Sequence, residues 1–207
     1  MKEKVLVFDA KHMDLFSKQI PGFSRDPEDL IDLKYACAGD GGFFEDRAAA
    51  EANEGLKQVI PYMVIRRGEE ILAYQRSKKS GEERLHNKWS VGFGGHINES
   101  DYMKQGIMFT LSMAIQRELN EELEWGDQDK CTVENISELG VLYDDSDAVG
   151  RVHIGYVMVI DVPKDSKFPK AKEDTIAATE WVSLSKARDL PGLEGWGKIV
   201  VEAMSSK

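Results

Sequence analysis

The chain has little cysteine, only Cys37 and Cys131 in 207 residues. With no Cys-x-x-Cys spacing and no second pair, a disulfide framework, a zinc knuckle and a dithiol redox motif are all excluded. Two buried thiols in a reducing cytoplasm are the expectation. Long hydrophobic runs are also missing. The first residues break into charge at Asp9 after the apolar Val5-Leu6-Val7-Phe8, too short for a signal segment, and nothing later approaches a membrane span. Positive charge is scarce as well: 27 Lys+Arg against 37 Asp+Glu give a formal charge of −10. General nucleic-acid binding and docking to an acidic membrane are therefore disfavoured, and a polyanionic substrate would need cations supplied. There is no internal repeat and no low-complexity linker.

What remains is a composition that can build a core. Hydrophobic residues make up 42% and charged residues 31%, which suits one globular domain with an elaborated end. Val5–Phe8 reads as a strand, and Asp26-Pro27-Glu28 as a helix start in which Asp caps and Pro opens the first turn. Gly39, Gly41 and Gly42 interrupt the next stretch. The alanine-rich run within 45–57 favours helix, whereas 59–65 turns β-branched and reads as a buried strand. A boundary falls there, giving an N-terminal extension of strand and helices over 1–58 and a main domain over 59–207.

Within the main domain, 59–76 reads as a hairpin through the turn Arg67-Gly68-Glu69-Glu70. Residues 89–93 alternate as a strand, and Gly94-Gly95 ends it where a backbone can approach a ligand closely. Helical periodicity occupies 107–123. Strands are expected over 139–143, 152–162 and 179–182, and closing helices over 183–190 and 194–204, the second with Trp196, Ile199, Val200 and Met204 near one face.

The helix over 107–123 carries the chemistry. Met108, Ser112, Ile115, Leu119 and Leu123 form one stripe expected to face the core. Glu118 and Glu122 sit one turn apart beside it, and Glu121 projects just beyond. Carboxylates continuing an apolar face repel one another and lose hydration, so they take up protons or recruit a cation. Hard ions such as Mg²⁺ or Mn²⁺ suit oxygen ligands of this kind. Arg117 stands four residues before Glu121, a spacing that permits an ion pair.

Gly95 followed by Arg117-Glu118-Leu119-Asn120-Glu121-Glu122, after a strand ending in Gly94-Gly95, resembles the box of the Nudix hydrolases, GX5EX7REUXEEXGU. The specific Arg-Glu-Leu-x-Glu-Glu half matches completely. The first half departs: 117 − 95 − 1 = 21 residues separate Gly95 from Arg117 where the pattern has 5 + 1 + 7 = 13, an insertion of eight. Counting back from Arg117 puts Phe109 at the pattern's first glutamate, and Glu124 stands at its closing glycine. Glu99 or Asp101 are the candidates to replace that glutamate, and Gly126 to cap the helix in place of the glycine.

The resemblance spans about 59–190, where Glu180-Trp181-Val182 also looks like a family strand. It implies an α/β/α sandwich with a mixed β-sheet. It also implies that Glu118, Glu121, Glu122 and the Gly94 carbonyl bind Mg²⁺ or Mn²⁺ and that Arg117 orients Glu121. The implied activity is hydrolysis of a diphosphate linkage in a small molecule, a nucleoside diphosphate derivative or a relative of one. Candidates for the general base are Glu118, Glu173, Asp144 and Asp145. Arg76 and Arg84 flank a loop where a guanidinium could bind phosphate, or they are ordinary surface arginines.

His96 is a structural residue or a substrate contact, and His153 reads as structural. Trp89, Trp181 and Tyr74 are core aromatics or base-stacking groups. Two rival functions stand beside hydrolysis. Diphosphate isomerases of this fold need a cysteine near the Trp-strand, and 89–94 has none. A ligand sensor or interaction module without turnover would explain the altered first half of the box but not the retained glutamates. Residues 1–58 have three uses open to them: packing on the sheet, shaping a substrate pocket, or building a homodimer interface.

Overall fold

Four consecutive apolar residues, Val5 to Phe8, form the centre of β1 (Lys4–Asp9) and are all buried. The computed structural model describes residues 2–16, 21–39, 41–78, 86–125, 135–167, 169–172 and 174–206. Its chain divides into two compact units. The first comprises 1–62, 94–116 and 139–157; the second comprises 63–93, 117–138 and 158–207.

In the first unit β1 pairs antiparallel with β3 (Gly42–Asp46), Leu6 opposite Phe44, and with the start of β4 (Leu56–Arg67), Val7 opposite Gln58. A second antiparallel pair joins β2 (Gly22–Ser24) to β8 (Ile136–Tyr143). The helix α1 (Pro27–Cys37) starts as the sequence predicts, with Asp26 accepting from the Glu28 N–H at 3.0 Å and Pro27 in the first turn. The alanine-rich run 47–52 is helical as expected, over Arg47–Glu51 as α2. Asn53 ends it: its side chain accepts from the Gly55 N–H at 2.9 Å and its carbonyl from the Leu56 N–H at 3.0 Å, a turn that overrides alanine's helix preference. Of the glycines that read as an interruption, Gly42 opens β3, and a Cβ there would lie 2.3 Å from the Cys37 carbonyl oxygen.

In the second unit β5 (Glu70–Arg76) pairs antiparallel with the end of β4 through a turn at Gly68, where φ is +61°. Alongside it run β6 (Trp89–Ser90) and β11 (Ile176–Ser183), with Trp181 opposite Leu72. A short pair joins β7 (Leu123–Glu124) to β10 (Lys170–Ala171). The helices α4 (Leu184–Arg188) and α5 (Gly195–Ser205) close the chain. On α5 the buried residues are Gly197, Val200 and Val201, with Trp196 and Ile199 half-buried, because Gly197 admits Leu193 and Val91 at close range.

The helix α3 (Ile107–Glu122) and the strand β9 (His153–Asp161) each run from the first unit into the second. All of β9 but Asp161 is buried, as expected for a strand with apolar residues on both faces. No helix among the described residues is long and apolar enough to cross a membrane.

Candidate active site

The buried line of α3 runs through Leu111, Ala114, Ile115 and Leu119 and on to Leu123. Met108, expected in that line, is exposed, as are Phe109 and Met113. Thr110 turns inward at the first turn instead, and its hydroxyl accepts from the Met103 N–H at 3.0 Å. Apolar contact thus begins one turn later than the periodicity suggests.

Three carboxylates follow that line on the last turns. Arg117 Nη1 lies 2.7 Å from Glu118 Oε1 and 3.3 Å from Glu121 Oε2. The guanidinium foreseen as the partner of Glu121 therefore holds Glu118 more closely. Glu118 is 13% exposed at its side chain and Glu121 52%, so the shorter bond is also the better shielded one. Glu122 is half-buried.

Arg76 pairs through Nε with Glu194, whose N–H donates to the Trp89 carbonyl at 2.9 Å. Burial alone would lower the Arg76 pKa, but Tyr74, Glu194 and Glu122 outweigh it and hold the guanidinium above its ordinary value. Arg76 thus lies in the field of a box glutamate while bonded to an acid outside the box. Sequence reasoning did not single out Glu194, and nothing in the motif points to it. Arg84, Glu173 and Gly126 lie outside the described residues.

The exit of α3 is bonded by a residue from much later in the chain. The Lys172 N–H donates to the Glu122 carbonyl at 2.9 Å, and Lys172 Nζ to the Asn120 carbonyl at 2.8 Å. Trp125 Nε1 donates to the Leu119 carbonyl at 3.4 Å. Sequence reasoning missed Lys172, because its partners are backbone carbonyls that leave no trace in a motif.

In the first unit the glycine turn is held by backbone crowding. Gly94 has φ +155°, and a Cβ there would stand 1.9 Å from the Pro61 carbonyl oxygen. The inserted segment has its own clasp: Asp101, 3% exposed, accepts from the Asn98 N–H at 2.8 Å. Glu99 instead is largely exposed and lies 3.6 Å from Lys4. Of the two candidates for the missing glutamate, Asp101 is the one that braces the loop.

His96 faces His153, their Nε2 atoms 3.2 Å apart, and His153 Nδ1 lies 2.7 Å from the Val149 carbonyl. Within the acidic loop, Asp144 Oδ1 accepts from the Ser146 N–H at 3.1 Å, Asp147 Oδ1 accepts from the Gly150 N–H at 2.7 Å, and Asp145 is exposed. Tyr74 is core: buried, its hydroxyl donating to the Gly92 carbonyl at 3.1 Å and its ring 4.5 Å from that of Phe93. Trp181 carries the Arg67 guanidinium 4.3 Å above its ring.

Among the described residues no three His, Cys, Asp or Glu side chains converge as a preformed cage. Mg²⁺ does not need one. It keeps several waters and is bound by one or two carboxylates together with substrate phosphates. Glu118, Glu121 and Glu122, hard oxygen donors on one short stretch of helix, fit an ion of that kind.

Comparison with known proteins gives a consistent answer. The NUDIX domain family model matches residues 57–203. Protein YmaB of Bacillus subtilis (strain 168) is 35% identical over 161 residues, which cover 76% of this chain and 76% of that protein. The crystal structure of Tm1382, described as a Nudix hydrolase, superposes with a TM-score of 0.76 at 29% identity over 98% of both chains. The NUDIX domain of Shewanella oneidensis NrtR, solved with ADP-ribose, gives a TM-score of 0.52 at 16% identity, over 72% of this chain and 86% of that one. That last likeness is one of fold alone.

Proposed function

The chain belongs to the Nudix family, an α/β fold of hydrolases, and from that premise we propose that it hydrolyses a diphosphate linkage in a nucleoside diphosphate derivative or related small molecule, in the cytoplasm and with Mg²⁺ or Mn²⁺. Residues 59–207 are the hydrolase domain in this reading and 1–58 an extension of it. The observation that carries the proposal is the Arg117 guanidinium on Glu118 and Glu121, which orients two acids on the last turns of α3. Glu118, Glu121 and Glu122 hold the ion, and the Gly94 carbonyl is assigned to it by the resemblance alone.

When bound, such an ion neutralises phosphate oxygens and lowers the pKa of a coordinated water. Glu118, fixed by Arg117, accepts a proton as water attacks phosphorus and the bridging P–O bond breaks. Arg76, with its Nε bonded to Glu194, offers its remaining N–H groups to a phosphate.

The test is phosphate-coupled turnover on nucleotide sugars, dinucleoside polyphosphates, NADH, ADP-ribose and nucleoside triphosphates, with Mg²⁺, Mn²⁺ or EDTA. Metal-dependent release from one group is expected and identifies the leaving moiety. Silence across all of them from a folded protein would favour a ligand sensor.

A further inference from the structure

The metal-binding reading places its ligands at the least self-sufficient part of α3. The last four carbonyls of a helix have no intrahelical donor, and without a cap the final turn frays. Glu118, Glu121 and Glu122 stand on the final turns, and the chain passes from Glu122 directly into β7. Lys172 donates to two of those carbonyls, from its N–H to Glu122 at 2.9 Å and from Nζ to Asn120 at 2.8 Å. The two residues before it, Lys170 and Ala171, pair with Glu124 and Leu123. One short segment therefore grips the helix end from both sides of its last residue.

We infer that Lys172 is a positioning residue for the metal-binding carboxylates, holding the turn that carries Glu121 and Glu122. It acts through backbone, touching neither ion nor substrate, and the inference rests on the metal reading above. A rotation of the last turn moves both carboxylates together, because residues of one turn share its backbone. The ammonium also lies at the negative end of the helix dipole, where a cation is favoured.

Charge and positioning predict opposite signs, so one measurement separates them. Lys172 is a cation beside an acidic cluster, so deleting its charge would by Coulomb's law alone tighten binding of a divalent ion. If Lys172 positions the ligands, deletion weakens binding instead. The experiment titrates Mn²⁺ alone into the full chain, free Mn²⁺ being followed by electron paramagnetic resonance. The proteins are wild type, Lys172→Ala, Lys172→Gln and Lys172→Arg, with thermal unfolding recorded for each without metal.

The expected result is a Kd for Mn²⁺ about 5- to 20-fold higher in Lys172→Ala, with Lys172→Arg restored to about twice the wild-type value. Lys172→Gln falls between them and stands in for the alanine variant should that one not fold. An unchanged or lower Kd in a folded Lys172→Ala overturns the positioning role while leaving the metal reading intact. Failure of the wild type to bind Mn²⁺ removes the metal reading and this inference with it.

Discussion

His153 donates its Nδ1 proton to the Val149 carbonyl at 2.7 Å and meets His96 Nε2 with its own Nε2 at 3.2 Å. A carbonyl can only accept, so Nδ1 of His153 carries the hydrogen. In the neutral ring Nε2 is then an acceptor, and His96 is the donor across the pair. The bond ties the segment after Gly94-Gly95 to the turn that follows the acidic loop. Replacing either ring by Ala is expected to cost about 1–2 kcal/mol, with the double variant about 1 kcal/mol less destabilised than the sum of the two. Urea denaturation of the four proteins reads the coupling directly; additive losses would mean that the rings do not bond.

Glu122→Gln removes one charge from a repulsive cluster and one hard oxygen from the proposed ligand set. Metal-dependent hydrolysis should fall by about 100-fold or more, while the midpoint of thermal unfolding stays put or rises. Wild-type turnover in this variant would sink the metal assignment.

At Gly94 the obstacle is backbone. A methyl group there meets the Pro61 carbonyl oxygen at 1.9 Å, in a conformation that L residues rarely adopt. Gly94→Ala should lose about 3 kcal/mol or more, which for a chain of this size lowers the melting temperature by roughly 6–12 °C. Differential scanning calorimetry would show it, and a melting point within 2 °C or so of wild type would mean that the turn can shift aside.

Burial pushes the Cys37 thiol up to about 12 from an ordinary 9.0. The native state therefore keeps a proton that the unfolded chain releases. This contribution to stability is complete below about pH 9 and is lost as pH rises toward about 12, at most about 4 kcal/mol over the window. In Cys37→Ala that fall in stability with pH should shrink, as denaturant titrations at pH 8 to 11 can measure. At neutral pH the native thiol should resist alkylation, mass spectrometry finding Cys37 modified only after unfolding.

Several strands were legible because their patterns are local, whereas the strand expected over 89–93 is only Trp89–Ser90 and the short β2, β7 and β10 left no pattern. Val5–Phe8, the 71–75 run and the 153–160 run carry enough apolar and β-branched side chains to declare themselves, and Asp26-Pro27 announced a helix that begins where those residues predict. The Arg-Glu-Leu-x-Glu-Glu run was legible for a different reason: consecutive positions on a helix fix the spacing of their side chains before any tertiary contact forms. The membership of the chain in its family followed from that run.

Other features depended on residues far apart in the sequence. Whether Asp101 or Glu99 braces the inserted loop turned on burial, which spacing does not encode. The capture of Arg76 by Glu194, the facing imidazoles of His96 and His153, and the grip of Lys172 on the end of α3 all join residues more than 50 positions apart. The sequence by itself determined which acids are the candidates for the chemistry, because one helix displays them. Only the tertiary structure decided what holds the end of α3 and the glycine turn in place, because that work falls to backbone groups whose partners are chosen by folding.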